Sequence, residues 1–166
     1  MTSIYMDGDI LVTDDIQEVW DMDLTNWSLA AMSVKSIHSL IPELIGRYTF
    51  NSGFLVMNLK RIRETNGVER IKEIATRFKD ALTLPDQDIL NLAFCDDTLR
   101  LPVRWNLTTG ALEQGDDNYR SISEEDLCEA IKKPAVIHFT TGSKPWRFKV
   151  KIKHPFACLY PYFAHL

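Results

Sequence analysis

The sequence predicts an α/β layered domain, because segments typical of buried strands alternate with segments of helical periodicity. Apolar runs of strand length occur near the N-terminus, before residue 60 and after residue 134. Between them lie stretches whose apolar residues recur every three to four positions, as they do along one face of a helix. Because the chain has 166 residues, of which 45% are hydrophobic, we expect one domain spanning residues 1–166.

Composition and charge exclude several classes of protein. The formal net charge of −4 argues against a nucleic-acid-binding protein, whose contact surface would be a basic stripe. Cys95, Cys128 and Cys158 are odd in number and far apart, so we expect no disulfide framework or zinc site and infer a reducing compartment. The N-terminus lacks the features of a signal peptide, and no apolar run approaches about 18 residues. We therefore expect a cytoplasmic protein.

The chain begins with an apolar strand at Ile4–Val12, followed by a short helix. Thr13 or Asp14 is expected to cap this helix, and its apolar face is expected to pack beneath the site. That face consists of Ile16, Val19 and Trp20. Residues 27–40 show no clean periodicity. Residues 48–59 are typical of a loop that leads into a buried strand, with the sequence Asn51-Ser52-Gly53 at its mouth.

The middle of the chain is predicted to contain two helices and a strand. Asn66, followed three residues later by Glu69, resembles a capping box. The apolar stripe of that first helix consists of Val68, Ile71, Ala75 and Phe78. Asp86 is expected to cap the second helix. Residues 99–105 alternate as a strand does, and Pro102 places that strand near the edge of a sheet.

The last third of the chain is predicted to contain a helix, a strand and a basic tail. Ser123 is expected to cap a helix over residues 124–131, with Ile122 and Leu127 spaced as a hydrophobic staple. Residues 135–139 form a buried strand that leads into the loop 140–146. Residues 147–166 are first basic and then aromatic, which favours a packed terminal segment and, as a second interpretation, contact with anionic lipid.

Asp7 and Asp9 are the first candidate site residues. Side chains two positions apart on an extended segment point the same way, so both carboxylates can face one hard cation. Gly8 between them allows a ligand to approach the backbone. A solvated turn explains the same residues, and the chain holds two further Asp-x-Asp triplets, at 21–23 and 86–88.

Four separated patches can converge on one cleft, because ligands of open α/β sheets bind outside the carboxyl ends of the strands. These patches are residues 7–9, 51–53, 86–88 and 138–146. If the ligand is a nucleotide diphosphate, each close pair of like charges costs about 4 kcal/mol at an effective dielectric of about 20, so a cation is needed between them. His138 would add a nitrogen ligand and favours manganese over magnesium, although a hydrogen-bonded core histidine remains the alternative.

The other candidates suit phosphate and sugar binding. Gly142 lets backbone N–H groups approach phosphate oxygens and Lys144 adds a positive charge, whereas the alternative is a surface lysine beside a packed aromatic residue. Gln87 and Asp88 suit sugar hydroxyls or an oxocarbenium-like centre, while capping alone explains Asp86. Asn51 offers a donor and an acceptor, although Asn-Ser-Gly is also a common turn.

Four segments of the sequence, in this order, resemble the motifs of glycosyltransferase family 8. They are Tyr5-Met-Asp-Gly-Asp-Ile-Leu-Val, Phe50-Asn-Ser-Gly-Phe-Leu-Val-Met-Asn, Asp86-Gln-Asp-Ile-Leu-Asn and Ile137-His-Phe-Thr-Thr-Gly-Ser-Lys-Pro-Trp. The family includes lipopolysaccharide galactosyl- and glucosyltransferases and glycogenin. The resemblance implies a GT-A-type mixed sheet with flanking helices. It also implies a retaining, metal-dependent transfer of a hexose from a UDP-sugar to a saccharide or lipopolysaccharide acceptor.

The resemblance also implies a role for each matched residue. Asp7, Asp9 and His138 resemble the manganese ligands, with magnesium as the alternative ion. Gly142 and Lys144 resemble the contacts to the diphosphate. Positions at the donor sugar and the reaction centre are matched by Asn51, Ser52, Asp86 and Gln87, of which Gln87 and Asp86 are the candidate catalytic residues. The sequence leaves open whether one of these two assists covalently or the acceptor attacks from the front face.

The chain begins at the Asp-x-Asp strand, whereas family members place base- and ribose-binding elements ahead of it. We therefore expect an N-terminally truncated transferase whose exposed sheet edge is covered by a second copy or by another chain. A fragment that binds metal or a partner without catalysis is the alternative. A phosphohydrolase of the haloacid-dehalogenase type is a minor one, since it expects threonine chemistry where Ile10 and Leu11 stand. Lipid-directed relatives suggest peripheral contact with the inner membrane through the tail.

Overall fold

A computed structural model of the chain describes residues 1–37, 39–113, 117–142, 144–147 and 154–163. Within these ranges the chain forms two sheets with helices packed around them, which confirms the predicted mixed α/β architecture. The strands are β1 (Thr2–Met6), β2 (Ile10–Val12), β3 (Leu29–Lys35), β4 (Tyr48–Phe50), β5 (Phe54–Asn58), β6 (Thr98–Leu101), β7 (Leu107–Thr108) and β8 (Val136–His138). The α-helices are α1 (Gln17–Trp20), α2 (Leu59–Glu64), α3 (Gly67–Arg77), α4 (Pro85–Phe94), α5 (Thr109–Leu112), α6 (Glu124–Lys132) and α7 (Leu159–Phe163).

The larger sheet has the strand order β1-β5-β3-β4, and β6 also pairs with β3. It is a mixed sheet, because β6 runs parallel to β3 while the other pairs are antiparallel. The register of β1 against β5 places Met6 opposite Phe54, at the end of one strand and the start of the other. One residue further, the backbone N–H of Asp7 donates to the carbonyl of Gly53 at 2.9 Å. This pairing joins the first two sequence motifs.

The smaller sheet has the strand order β2-β8-β7 and holds His138 at its end. His138 is opposite Ile10 in the antiparallel pair with β2 and opposite Thr108 in the parallel pair with β7. The N–H of Phe139 donates to the carbonyl of Asp9 at 3.0 Å. The last motif is therefore tied to the first through strand pairing.

The opening segment Ile4–Val12 forms two strands rather than the single strand that the sequence predicts. β1 pairs with β5 in the larger sheet, and β2 pairs with β8 in the smaller one. The three residues Asp7-Gly8-Asp9 form the turn by which the chain passes between the sheets. Apolar content alone does not reveal such a change of partner, because both strands are apolar.

One core cluster lies between the two sheets and joins them. Ala30 and Phe54 of the larger sheet belong to this cluster together with Val136 of the smaller sheet, and all three side chains are fully buried. Phe54 stacks on Trp105, with ring centroids 6.1 Å apart. The two sheets are therefore held together by apolar packing beneath the strand ends that carry the candidate site residues. Among the described helices, none has the length and apolar character needed to cross a bilayer.

The helix caps predicted before α1 and before α3 differ in the structure. α1 begins after Ile16 without a side-chain cap, and the Thr13 hydroxyl instead donates to the carbonyl of Pro134 at 2.7 Å. Asn66 precedes α3 in a left-handed conformation, with φ of 54°, and makes no capping bond with its side chain. The cap in this region belongs to Asn58, which accepts from the N–H of Arg61 and begins α2. A helix break between α2 and α3 thus replaces the predicted capping box.

Other segments also differ from what their sequence patterns predict. Residues 29–35 form β3, although the sequence shows no clean period there, because this strand is buried on both faces. The strand predicted over 99–105 ends at Leu101 and continues as a 3₁₀-helix over Val103–Asn106. Trp20 and Val68, predicted to be inward-facing, are 46% and 41% exposed.

Two predictions in the last third of the chain are confirmed. Ser123 caps α6 by accepting from the N–H of Asp126 at 3.0 Å, and Ile122 and Leu127 both pack against one core cluster. The buried strand predicted over residues 135–139 corresponds to β8. Lys149, Lys151 and Lys153 of the predicted basic tail, and Ser143 of the preceding loop, lie outside the described residues.

Candidate active site

Asp7, Asp9 and His138 come together where the two sheets meet. His138 Nε2 lies 3.1 Å from Asp9 Oδ1 and 3.7 Å from Asp7 Oδ2, and the three ligand atoms lie within 4.8 Å of one another. The imidazole is 2% exposed, whereas both carboxylates are partly open to solvent. The 3.1 and 3.7 Å separations suit neighbouring ligands on one ion whose bonds are about 2.0–2.3 Å long. The residues present therefore fit a divalent cation.

The charges around these ligands are set by burial and by Lys144. Burial lowers the pKa of His138, while the nearby Asp9 and Asp7 carboxylates act in the opposite direction without cancelling it. Burial acts to raise the pKa of Asp9, but hydrogen bonding and attraction from Lys144, together with His138, hold that pKa below its usual value. The Lys144 ammonium donates to Asp9 Oδ2 and to the carbonyl of Phe139. A neutral imidazole and an ionised carboxylate are the forms that bind metal.

Tyr5 is a further neighbour of this cluster. Its hydroxyl donates to Asp7 Oδ1 at 2.8 Å, and this hydrogen bond is the main reason that the pKa of Tyr5 is raised. The bond leaves Asp7 Oδ2 as the oxygen nearer to His138. Tyr5 precedes the metal motif by two positions on the same strand face, a spacing that could have identified it from the sequence.

A second group of polar side chains lies beside the metal ligands. Ser52 Oγ donates to Asp86 Oδ2 at 3.0 Å, and the Ser52 backbone N–H donates to Gln87 Oε1 at 3.2 Å. Asn51 Nδ2 donates to the same Gln87 oxygen at 3.0 Å. The turn between β4 and β5 is thus bonded to the first turn of α4. These four residues are those that the sequence grouped as the sugar and reaction-centre positions.

The interpretation of Asp88 is corrected. The residue types alone gave Asp88 a ligand role and allowed capping as an explanation of Asp86, whereas the family resemblance made Asp86 a candidate catalytic residue. In the structure Asp88 Oδ2 accepts from the backbone N–H groups of Thr83 and Leu84, at 2.8 and 2.9 Å, and so fixes the start of α4. Asp86 makes no capping bond and lies in the site. Pro85 begins the helix in place of a polar cap, which frees the Asp86 carboxylate.

A cavity of about 430 Å³ connects the two groups of side chains. Its lining includes seven of the nine predicted site residues, namely Asp7, Asp9, Asn51, Ser52, Asp86, Gln87 and His138. Lys144 reaches the site through its bond to Asp9. Gly142 does not line this cavity, and its carbonyl accepts from the N–H of Lys144 at 3.1 Å. Val34, Thr49, Phe50, Leu84, Asn118, Tyr119 and Thr140 complete the lining.

Two neighbours of these side chains, Asn106 and Asn91, were not identified from the sequence, and the close contacts of a third, Gly53 of the predicted patch 51–53, were not anticipated. Asn106 is fully buried and bonds to both His138 and Asn51. Asn91 donates to the carbonyls of Phe50 and Gln87 and accepts from the N–H of Phe50, so it locks α4 to β4. Gly53 lies directly against His138 and Asp7. A signal existed for Asn106, since it closes an apolar run as Asn51 and His138 do, whereas Asn91 reads as an ordinary helix residue.

Comparison with solved structures places this fold in the GT-A class of glycosyltransferases. The galactosyltransferase LgtC, solved with donor and acceptor sugar analogues, superimposes with a TM-score of 0.76 and 26% identity, covering 99% of this chain and 60% of LgtC. The glycosyltransferase GlyE of Streptococcus pneumoniae TIGR4 shares the fold with a TM-score of 0.72 at 22% identity, over 99% of this chain and 39% of GlyE.

Residues 2–149 match the model of Glycosyl transferase family 8, and the chain belongs to this family. General stress protein A of Bacillus subtilis is 31% identical over 159 residues, which cover 92% of this chain and 54% of that protein. The lipopolysaccharide 1,2-glucosyltransferase of Escherichia coli K12 is 28% identical over 155 residues, which cover 86% of this chain and 43% of that enzyme. The chain thus spans about half the length of these relatives. Membership of this family argues against the haloacid-dehalogenase alternative.

Proposed function

We propose that this chain carries the catalytic site for a retaining, metal-dependent transfer of a hexose from a UDP-sugar to a saccharide acceptor, including lipopolysaccharide. One observation carries the proposal: the three candidate metal ligands open into the same cavity as Asp86 and Gln87. A metal site alone would suit many functions. A metal site that shares a cavity with polar groups suited to sugar hydroxyls suits a nucleotide-sugar donor.

The charges in the cavity support a cation between protein and donor. Asp7 and Asp9 would each repel a diphosphate by about 4 kcal/mol at close range. Manganese fits the ligand set of two carboxylate oxygens and one imidazole nitrogen, and magnesium is the alternative. When bound, the cation would supply the positive charge that stabilises the departing UDP. Lys144, already bonded to Asp9, lies at the same place and can share that charge.

Gln87 is proposed to position the donor sugar rather than to attack it. A carboxamide oxygen has two lone pairs, and Gln87 Oε1 accepts from both Asn51 Nδ2 and the Ser52 N–H. Nucleophilic attack by this oxygen would use one of these lone pairs and so break at least one of the two bonds. Within the described part of the chain the Gln87 N–H₂ group has no acceptor, so it can donate to a sugar hydroxyl or to the developing charge. The arrangement therefore favours attack by the acceptor hydroxyl from the front face, with Asp86 holding Ser52 and the sugar.

The proposed donor and the C-terminal segment support a proposal for where the enzyme acts. Nucleotide sugars are cytoplasmic compounds, so the proposal includes a cytoplasmic site of action. Trp146 packs against Phe139 and Tyr160, which ties the aromatic end of segment 147–166 to the loop after β8. A tail held there would bring lipid-linked acceptors close to the site, so peripheral contact with the inner membrane is part of the same proposal.

Calorimetry with UDP and manganese tests the proposal. We expect UDP to bind only when manganese is present, since the metal must offset the two carboxylates. Asp9→Asn removes one metal ligand and is expected to abolish this binding, with a loss of at least about 10-fold in affinity for manganese. Asp21→Asn is the matched control, because Asp21 belongs to another Asp-x-Asp triplet and, among the described residues, its side chain bonds only to Gln17 at the exposed end of α1. UDP binding without metal, or none at all, would support the fragment interpretation.

A further inference from the structure

Asn106 links the candidate metal ligand His138 to the sugar-binding turn. Its Oδ1 lies 3.0 Å from His138 Nδ1, and its Nδ2 lies 3.0 Å from Asn51 Oδ1. The side chain is fully buried at the end of the 3₁₀-helix Val103–Asn106. A buried amide of this kind is stable only if its donor and its acceptor both find partners.

The direction of these bonds is fixed by a backbone group that cannot turn around. An amide side chain can flip to exchange its oxygen and nitrogen, but a backbone N–H is always a donor. The N–H of Gly53 donates to Asn51 Oδ1 at 3.0 Å, so the atom of Asn51 at that position must be an acceptor. The atom of Asn106 that faces this oxygen must then be its N–H₂ group. The Asn106 oxygen is left to face His138.

A second backbone donor fixes the other end of Asn51. The N–H of Ser52 donates to Gln87 Oε1 at 3.2 Å, which makes that Gln87 atom an acceptor. Asn51 must therefore present its N–H₂ group to Gln87, at 3.0 Å, in agreement with the orientation set by Gly53. The two backbone N–H groups thus independently require the same orientation of the Asn51 amide. The donor and acceptor atoms of Asn106, Asn51 and Gln87 are all assigned consistently.

We infer that Asn106 is a positioning residue that holds the proton of neutral His138 on Nδ1 and thereby presents the Nε2 lone pair to Asp7 and Asp9. The Asn106 oxygen can only accept, so Nδ1 must donate to it. The lone pair of Nε2 then lies 3.1 Å from one carboxylate oxygen and 3.7 Å from another. Such an arrangement of three acceptors is unfavourable unless a cation lies among them. Hydrogen bonding that orients a metal-binding histidine commonly raises metal affinity about 10–100-fold.

The inference rests on the proposed metal site, but its first test needs no metal and no variant. Long-range ¹H–¹⁵N correlation spectra of histidine-labelled protein distinguish the two neutral tautomers, and the His138 signals are assigned by their loss in His138→Gln. At about pH 8.5, two units above the ordinary pKa of histidine, we expect the Nδ1–H tautomer for His138. His154 serves as an internal reference of the opposite tautomer, since its Nδ1 accepts from the N–H of Phe156 at 3.2 Å. Finding His138 in the Nε2–H form would overturn the inference.

Two substitutions of Asn106 separate positioning from simple packing. In Asn106→Asp a carboxylate oxygen still accepts from Nδ1, so we expect the tautomer and the manganese affinity to be kept, while the loss of the N–H₂ donor to Asn51 Oδ1 lowers only the stability. In Asn106→Leu the acceptor is lost, and we expect mixed tautomers and a loss of about 10–100-fold in manganese affinity, measured by electron paramagnetic resonance. A residue with only a packing role would tolerate leucine better than a buried charge, so the opposite order would overturn the inference. Asn58→Asp, which alters a distant amide that donates to the carbonyl of Leu24, controls for the substitution itself.

The two readouts also separate this inference from the proposed function. If wild-type protein shows the Nδ1–H tautomer and Asn106→Leu loses it, the positioning role stands even if UDP fails to bind. If manganese binds equally to the wild type and to Asn106→Leu, the positioning role is refuted even though the metal site itself is real.

Discussion

Gly53→Ala tests whether the metal ligands are held as rigidly as the structure indicates. A Cβ atom at position 53 would lie 2.1 Å from Cε1 and 2.7 Å from Nδ1 of His138, and 2.9 Å from Asp7 Oδ2. Ordinary contact between such atoms is about 3.4 Å or more, so the imidazole would have to retreat by about 1 Å. The ring cannot do so freely, since it is buried, its Nδ1 lies 3.0 Å from Asn106 Oδ1, and its Nε2 already lies 3.1 Å from Asp9 Oδ1.

The magnitude of the effect follows from this overlap. Overfilling a packed site costs about 1–3 kcal/mol in unfolding free energy, and each kcal/mol lowers Tm by roughly 2–4 °C in a chain of this size. Metal ligands must lie within about 0.2 Å of their ideal distance, so a shift of about 1 Å removes His138 from the set. We expect the manganese affinity of Gly53→Ala to fall at least about 10-fold. Differential scanning calorimetry and manganese titration measure the two effects separately.

Gly8→Ala is the matched control for both measurements. Gly8 lies between Asp7 and Asp9, in the same turn, but an added Cβ would meet no atom within 4 Å. Its Tm and its manganese affinity should equal those of the wild type. If Gly53→Ala also keeps the wild-type Tm and manganese affinity, His138 and Asp7 can move aside for a methyl group without cost, which would refute the prediction. If only the Tm falls, the position of His138 does not govern metal binding.

Two further predictions concern Asn91 and His154, two buried polar residues outside the set of candidate site residues. Asn91→Leu removes a buried amide that makes three hydrogen bonds to the backbone of Phe50 and Gln87. We therefore expect the free energy of unfolding, measured in urea, to fall by about 2–4 kcal/mol. A variant as stable as the wild type would contradict this bonding. Burial lowers the pKa of His154 from 6.5 to about 4. Between pH 4 and pH 6.5 the unfolded chain therefore binds a proton on His154, whereas the folded chain does not. Stability should therefore fall as the pH drops from about 6.5 to 4, and His154→Phe should weaken this dependence in parallel thermal melts. An unchanged pH profile in the variant would show that another group titrates.

The residues that carry the site could be predicted from the sequence to a large degree, because several of them stand at the end of an apolar strand. Asp7, Asn51 and His138 lie at the ends of β1, β4 and β8, and such strand ends meet when the sheets form. The motif order also identified the family, since four short patterns in sequence are far more specific than any one of them.

Other features of the site could not be predicted, because they depend on contacts between residues distant in the chain. Asn106 lies 32 residues from His138 and 55 from Asn51, and its role exists only once both have been placed against it. The capping of α4 by Asp88 rather than by Asp86 depends on the direction in which the turn before α4 folds back. The division of the first segment between two sheets depends on β5 and β8, which are encoded far downstream.

The turn at Asp7-Gly8-Asp9 has a mechanical consequence. The Asp7 backbone is bonded to Gly53 in the larger sheet, whereas the Asp9 carbonyl is bonded to Phe139 in the smaller one. A ligand that binds both carboxylates therefore acts as a crosslink between two separately hydrogen-bonded layers. By linkage, an ion that binds only this closed arrangement stabilises it against local separation of the layers. Hydrogen exchange of the amides at the ends of β1 and β8 should then slow together when the ion is added, because one bound ion holds both strand ends.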